Sequence, residues 1–86
     1  MDLQEREFLE AIGRRIRALR EEMGLTEAEL GERAGLHRTF VGSAERGERN
    51  LSLLNLRKIA LALRVTPAAL LADQGGEGQA RTEPAT

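Results

Sequence analysis

Near the middle of the sequence lie four side chains of the kinds that read DNA bases: His37, Arg38, Thr39 and Ser43. An arginine can donate two hydrogen bonds to guanine O6 and N7, and a threonine offers a hydroxyl group and a methyl group that can contact thymine. At helical spacing Arg38, Thr39 and Ser43 share one outer face. His37 precedes them and is expected to cap this helix, or to touch a phosphate or base. An ordinary solvated helix face is the competing interpretation.

A second polar group follows and has the composition of a phosphate-binding site: Arg46, Arg49, Asn50 and Ser52. Ser52 is predicted to begin a helix, and the free backbone amides of a helix N-terminus bind anions. Thr26, at the predicted start of an earlier helix, is expected to contact a phosphate as well. A polar surface loop is the alternative interpretation of this second group.

The stretch 24–47 is predicted to position both groups on two short helices joined by a tight turn. Thr26 and Glu29 have the spacing of a capping box at the start of the first short helix. Gly35 supplies the turn, because glycine adopts a left-handed backbone conformation without steric cost. The apolar side of this helix is predicted to contain Ala28, Leu30 and Ala34.

The second short helix is predicted over residues 37–46. Phe40, Val41 and Ala44 fall on its inner face, while the base-reading candidates and Gly42 fall on its outer face. A buried helix, a glycine turn and a second helix with a polar, partly basic outer face form the plan of a helix-turn-helix.

Three further helices are predicted around this pair. A capping box at Asp2 and Glu5 begins the first, which reaches about residue 23 with the apolar stripe Leu9, Ile12, Ile16, Leu19 and Met23. Gly13 costs this helix roughly 1 kcal/mol relative to alanine, and we interpret it as a close packing contact. Ser52 caps a helix to about residue 63, whose predicted core stripe is Leu53, Leu56, Ile59, Ala60 and Leu63.

A short fifth helix and a tail complete the predicted organisation. Thr66 and Pro67 begin the fifth helix, with threonine as the N-cap and proline at the first helical position. Residues 73–86 contain three glycines, a proline and polar residues, so they cannot bury a core and are predicted to be disordered. The sequence therefore predicts one all-α domain over residues 1–72 followed by a disordered tail.

The composition narrows the possible functions. The 86 residues suffice for one small domain, and the absence of cysteine excludes disulfides and thiolate metal sites. With a single histidine, we expect no metal and no cofactor. No segment resembles a signal peptide or a membrane span, so a cytoplasmic protein is expected. No arrangement of nucleophile and base suggests an enzyme.

The charge is unevenly distributed along the chain. The net charge is −1, which is unusual for a nucleic-acid-binding protein. Residues 13–64, however, carry eleven arginines and lysines against seven glutamates, so the basic excess lies in the segment proposed to meet DNA. This excess predicts a moderate non-specific affinity for DNA.

The run from Ile12 to Leu71 resembles the Cro/C1-type (XRE-family) DNA-binding domains. It covers 60 of the 86 residues, and the segments GLHRTFV, ERGERN and SLLNLRKIALAL are most similar to the controller proteins of restriction–modification systems. The resemblance implies a five-helix, lambda-repressor-like fold with a central helix-turn-helix. It also implies a sequence-specific regulator of transcription, a repressor or autoregulator that binds double-stranded DNA through the major groove.

The resemblance assigns two further roles. Arg20 and Glu45 occupy positions that form a semi-buried ion pair in the family, a structural role. The resemblance also implies a homodimer that binds a palindromic operator. An 86-residue chain can bury only a small hydrophobic core, which favours stabilisation by a second copy of the chain. The dimer surface is expected in the fifth helix and nearby, with Val65, Leu70 and Leu71 as candidates.

Two other functions remain as alternatives. The chain could be the antitoxin of a toxin–antitoxin pair, in which a further surface would bind a protein partner. It could also be a protein-interaction module with degenerate DNA binding, because Glu27 stands where the family has a phosphate-binding glutamine. Gly42 replaces a residue that usually helps to read the operator, and Ala44 replaces a large aliphatic residue.

Overall fold

The structure is a computed structural model that describes residues 1–72, and these residues form five α-helices without a strand among them. The helices are α1 Leu3–Glu22, α2 Glu27–Ala34, α3 Arg38–Glu45, α4 Leu53–Ala62 and α5 Pro67–Leu71. The all-α, five-helix prediction is confirmed. The predicted disordered tail lies outside the described residues. Within residues 1–72 no helix is both long and apolar enough to cross a membrane.

Every helix begins at a polar N-cap whose side chain accepts a hydrogen bond from a backbone amide in the first turn. These caps are Asp2, Thr26, His37, Ser52 and Thr66. The two predicted capping boxes are complete, because Glu5 and Glu29 also accept hydrogen bonds from the backbone amides of their caps. Each cap contributes about 1 kcal/mol, so short-range sequence signals set where the helices start.

Four helices are followed by a residue in the left-handed backbone conformation, which is Gly24 after α1, Gly35 after α2, Gly47 after α3 and Arg64 after α4. Gly35 follows α2 with φ +72°, as predicted. Arg64 follows α4 with φ +62°, which is uncommon for a residue that has a Cβ atom. The conformation of Arg64 lets the Val65 amide donate to the Ala60 carbonyl at 3.0 Å and so closes the helix end.

One aliphatic side chain from each helix meets at the centre of the fold. These five side chains, each with no exposed surface, are Ile16, Leu30, Val41, Ile59 and Leu70. Burying such a side chain contributes about 1.5–3 kcal/mol. The prediction that Leu70 forms part of a dimer surface is therefore wrong, since its side chain is used within the monomer.

Two residues that were predicted to be buried are exposed. Leu53, the first residue of α4, is 82% exposed, although Leu56, Ile59, Ala60 and Leu63 are buried as predicted. Ala28 is exposed as well, because it precedes the buried Leu30 by two residues and so lies about 200° away around α2.

Gly13 and Arg15 make two of the contacts that join α1 to the rest of the domain. Gly13 is buried where α1 crosses α3, and a Cβ atom at this position would collide with the carbonyl oxygens of Ala44 and Glu45. Gly13 is thus the close packing contact that the sequence indicated. Arg15 donates a hydrogen bond of 2.6 Å to the Leu70 carbonyl, which attaches the last turn of α5 to α1.

Candidate nucleic-acid interface

The helix-turn-helix is held together by its own backbone. The Leu36 amide donates to the Gly31 carbonyl at 2.8 Å, and Gly35 takes the left-handed conformation between α2 and α3. Gly31 has no side chain at the point where the turn folds back, and a Cβ atom there would collide with the Leu36 carbonyl oxygen. The angle between α2 and α3 is therefore fixed by close backbone packing.

The N-terminal end of α3 presents three of the predicted base-reading residues to solvent. Arg38 and Thr39 are exposed, and the exposed His37 caps the helix. The Thr39 amide donates to His37 Nδ1 at 3.1 Å, and Thr39 Oγ1 lies 2.8 Å from the same nitrogen. With Nδ1 accepting, a neutral imidazole carries its proton on Nε2, which can donate to an acceptor outside the protein.

Ser43 does not lie on the exposed part of α3. It is only 8% exposed, its hydroxyl donates to the Phe40 carbonyl at 2.9 Å, and Arg49 Nε donates to the same hydroxyl oxygen at 3.0 Å. The predicted placement of Ser43 on the solvent face is therefore wrong. The guanidinium of Arg49 covers it and also lies 5.0 Å from the centre of the Phe40 ring.

This arrangement changes the position expected for Arg49. Arg49 is predicted to act from the loop after α3, whereas its exposed side chain folds back over α3, against Ser43 and the Phe40 ring. No local sequence pattern predicts this, because the contact depends on how the loop returns along the helix.

The other phosphate-binding candidates lie at the surface. Asn50, Thr26 and Ser52 are exposed, and the last two are helix caps whose hydroxyls accept from the Glu29 and Asn55 amides at 3.0 Å each. A hydroxyl that accepts one hydrogen bond can still donate another to a phosphate. The cap role of Thr26 and Ser52 is therefore compatible with the predicted phosphate contact.

Arg46 is exposed but has an acidic neighbour. Its Nε and Nη2 donate to the Glu48 carboxylate at 3.1 and 3.2 Å. The hydrogen bonds from Arg46 hold the pKa of the Glu48 carboxyl below its usual value. The guanidinium of Arg46 must therefore leave or share this carboxylate before it can bind a phosphate.

A buried ion pair anchors the C-terminal end of α3. Arg20 donates to both carboxylate oxygens of Glu45, at 2.6 and 3.0 Å, and to the Leu25 carbonyl at 2.8 Å. Burial raises the pKa of the Glu45 carboxyl, while the hydrogen bonds from Arg20 act in the opposite direction. The same bonds raise the pKa of Arg20. This is the pair that the family resemblance implies, and it joins α1, α3 and the start of α2.

Glu27, the first residue of α2, lies against the recognition helix. A Cβ atom on Gly42 would stand 3.1 Å from Glu27 Oε1 and 3.2 Å from Arg46 Nη1, so both side chains occupy the space that Gly42 leaves open. The Glu27 carboxylate also adds to the rise in the pKa of Glu45. Gly42, predicted on the outer face, is thus covered by these two side chains.

Among residues 1–72, no group of histidine, aspartate and glutamate side chains is arranged to hold a metal ion. The hydrogen-bond donors of this face are arginines, hydroxyls and one imidazole around the exposed end of α3, and its acidic groups are the Glu27 and Glu48 carboxylates. Such donors suit the acceptor-rich edges of guanine and the phosphate oxygens of DNA.

Comparison with known proteins agrees with this geometry. A helix-turn-helix family model matches residues 16–70. The chain is 41% identical over 66 residues to control protein C.SmaI of Serratia marcescens, covering 77% of this chain and 79% of that protein. Its structure matches the restriction–modification controller protein C.AhdI of Aeromonas hydrophila with a TM-score of 0.70 and 42% identity, covering 74% of this chain and 96% of that one.

A repressor domain shares the same architecture. The DNA-binding domain of the phage P22 c2 repressor matches with a TM-score of 0.67 and 33% identity, covering 70% of this chain and 79% of that one. Both the predicted family and the predicted repressor-like fold are confirmed. The chain belongs to the XRE-type helix-turn-helix family, a family of DNA-binding transcription regulators.

Proposed function

We propose that this protein binds a palindromic operator as a homodimer and regulates transcription there as a repressor or autoregulator in the cytoplasm. The observation that carries the proposal is the exposed N-terminal end of α3. Arg38 and Thr39 lie there on a helix that a buried ion pair and a close α1 contact hold in place. In a helix-turn-helix this is the end that enters the major groove. We assign no enzymatic step to the protein.

The base-reading set consists of Arg38, Thr39 and His37. A rigid helix keeps their donors in one orientation, and His37 Nε2 extends the set towards the phosphate that flanks the groove. Ser43 acts indirectly in this proposal, because its hydroxyl holds the guanidinium of Arg49 over the helix. Arg49 then meets the DNA at the groove edge rather than from the loop.

The phosphate-contacting set consists of Thr26, Arg46, Asn50 and Ser52. Thr26 and Ser52 begin α2 and α4, so a hydroxyl and free backbone amides lie together at each position. These contacts fix the orientation of the protein on the duplex and carry no sequence information themselves.

The proposed dimer surface differs from the one predicted from sequence. Val65 is partly buried against the core and Leu71 is 40% exposed, whereas Leu70 is inaccessible. Larger apolar surfaces stand on α4, where Leu54 is 66% and Leu61 is 63% exposed. We place the dimer contact on α4 and the end of α5. Two recognition helices in such a dimer read half-sites about one helical turn apart.

Selection of bound duplexes from a randomised DNA pool, at near-physiological salt, tests this function. An enriched inverted repeat with half-sites about one turn apart is the expected result. No enrichment from folded protein would contradict the proposal and favour the protein-interaction alternative.

The enriched duplex then tests the assignment of Arg38. We expect Arg38→Ala to weaken binding to this duplex by about 1–3 kcal/mol and to relax one base position. Affinity for a random duplex should change much less. Arg14→Ala removes an exposed arginine of α1, away from the proposed DNA and dimer surfaces; it is the matched control and should leave operator preference unchanged. Equal losses on both duplexes for Arg38→Ala would contradict a base-reading role.

A further inference from the structure

Glu27 occupies an unusual position on the face proposed to meet DNA. It is the first residue of α2, and its carboxylate lies beside α3 in the space that Gly42 leaves open. Arg46 Nη1 approaches the same space from the other side. Any residue larger than glycine at position 42 would press on the Glu27 carboxylate, so the absence of a side chain there allows this placement.

In the part of the chain that the structure describes, Glu27 has no ion-pair partner of its own, although its charge adds to the rise in the pKa of Arg20 and of Arg46. Arg20 pairs with Glu45, and Arg46 pairs with Glu48. Among residues 1–72, Glu27 forms no ion pair within 4.0 Å. The cluster of Arg20, Glu27, Glu45, Arg46 and Glu48 thus contains two positive and three negative groups at the junction of α2 and α3.

The position of α2 on DNA determines what this excess charge meets. In a helix-turn-helix the first helix crosses the sugar–phosphate backbone while the second enters the groove. Glu27 is partly exposed at the N-terminal end of that first helix. In the proposed complex the carboxylate, which lies over Gly42 beside α3, is near the phosphates that α2 crosses, and two negative groups repel each other.

We propose that Glu27 is an affinity-limiting residue that weakens DNA binding uniformly, by repelling the phosphate backbone, without contributing to base preference. This inference rests on the proposed function, because it concerns the same DNA complex. Every duplex presents the same phosphates, so the repulsion lowers affinity for operator and random sequences alike. Because of this repulsion, a higher concentration of the protein is needed to occupy the operator.

The test is Glu27→Gln, which removes the charge and keeps the shape of the side chain. Binding of the full-length variant is measured on the selected duplex and on a random duplex over a series of salt concentrations. We expect affinity at about 0.1 M salt to rise about three- to tenfold on both duplexes. The slope of log affinity against log salt should steepen by up to about one.

Glu32→Gln is the matched control. It makes the same change in net charge on the same helix, at an exposed position that has no contact with Gly42. Its effect on affinity should be less than twofold. An equal gain from both variants would overturn the proposal, because the effect would then come from net charge alone.

The remaining outcomes separate this inference from the proposed function. A change in base preference, or weaker binding by Glu27→Gln, would make Glu27 a DNA ligand and overturn the inference while the regulator function stands. An unchanged affinity would overturn it in the same way. If neither the natural protein nor Glu27→Gln binds any duplex, both proposals fall. If only Glu27→Gln binds, the inference is supported in its strongest form.

Discussion

The three ion pairs among residues 1–72 differ mainly in how much water reaches them. The side chains of Arg20 and Glu45 are 11% and 3% exposed, whereas those of Arg17 and Glu21 are 64% and 55% exposed. Exposed pairs contribute little, because water and salt screen them. In a buried pair the desolvation cost is large, and the charges are tolerated only while each satisfies the other. The Arg20–Glu45 pair is thus a requirement of the fold more than a source of extra stability.

Replacement of Arg20 by methionine should therefore be severe. Arg20→Met leaves the Glu45 carboxylate buried without its donor and removes the hydrogen bond to the Leu25 carbonyl. We expect the free energy of unfolding to fall by about 3–5 kcal/mol, as measured by urea denaturation. Arg17→Met provides the control, because it breaks an exposed pair, and should cost less than about 1 kcal/mol. Similar losses in both variants would show that burial of the pair does not determine its importance.

At the scale of the helices, α1 and α3 can cross in close contact only because Gly13 has no Cβ atom. Gly13 brings the α1 backbone against the carbonyls of Ala44 and Glu45. Helix propensity alone favours alanine over glycine by about 1 kcal/mol at such a position. The close contact nevertheless requires glycine at position 13, because both carbonyls belong to the backbone and cannot rotate away from an added methyl group.

Two glycine substitutions distinguish these effects. We expect Gly13→Ala to destabilise the protein by about 1–3 kcal/mol despite its better helix propensity, because α1 must move away from α3. Gly42→Ala also adds a methyl group to a helix, but it meets only the flexible ends of Glu27 and Arg46. It should be neutral or stabilising by up to about 1 kcal/mol. Thermal unfolding of both variants gives the comparison, and a stable Gly13→Ala would show that the crossing is not close-packed.

The same scale shows what the sequence can and cannot predict about the fold. Helix starts were predictable, because a cap such as Thr26 bonds within its own first turn. The exposure of Leu53 was not predictable, since apolar residues occur all around α4 and periodicity does not separate Leu53 from the buried Leu56. The burial of Leu70 could not be predicted from the sequence either, because it depends on how α5 folds back onto the core.

Within the site, local geometry was predictable and contacts across the loop were not. The cap role of His37 followed from its place before the helix and is confirmed. Helical spacing predicts Ser43 on the solvent face of α3, but Ser43 is buried because Arg49, six residues further along the chain, covers it. Short-range spacing determines which face of a helix a residue occupies. It does not determine which side chain from another segment lies over that face.

At the scale of the whole molecule, the basic charge and the exposed apolar surface serve two different parts of the proposed function, DNA binding and dimerisation. The basic excess of residues 13–64 supports DNA contact, although the net charge of the chain is −1. Among residues 1–72, the large apolar side chains that the monomer leaves exposed form two groups. One is at the N-terminal end, with Met1, Leu3 and Phe8, and the other is on α4 and α5, with Leu53, Leu54, Leu61 and Leu71. Exposed apolar surface of this kind is typical of a site for a protein partner. A second copy of the chain would cover the group on α4 and α5 and pair two recognition helices.

This arrangement predicts that self-association and operator binding are lost together when the α4 surface is changed. Leu54 and Leu61 are seven residues apart and so share one side of α4. We expect the natural protein to sediment as a dimer at tens of micromolar and Leu61→Glu as a monomer. The variant should also bind the inverted repeat at least about tenfold more weakly, because each half-site is then bound independently.

A control at the other end of the molecule completes this test. Leu3→Glu places the same charge on an equally exposed leucine of α1, whose side chain is 69% exposed against 63% for Leu61. It should leave the dimer, operator affinity and the urea midpoint unchanged. Leu61→Glu should still unfold in one cooperative transition, at a lower urea concentration, because it lacks the stability that dimerisation adds to the natural protein. A dimer that persists in Leu61→Glu but dissociates in Leu3→Glu would place the contact on α1. The two recognition helices would then have a different spacing, and the selected half-sites would show it.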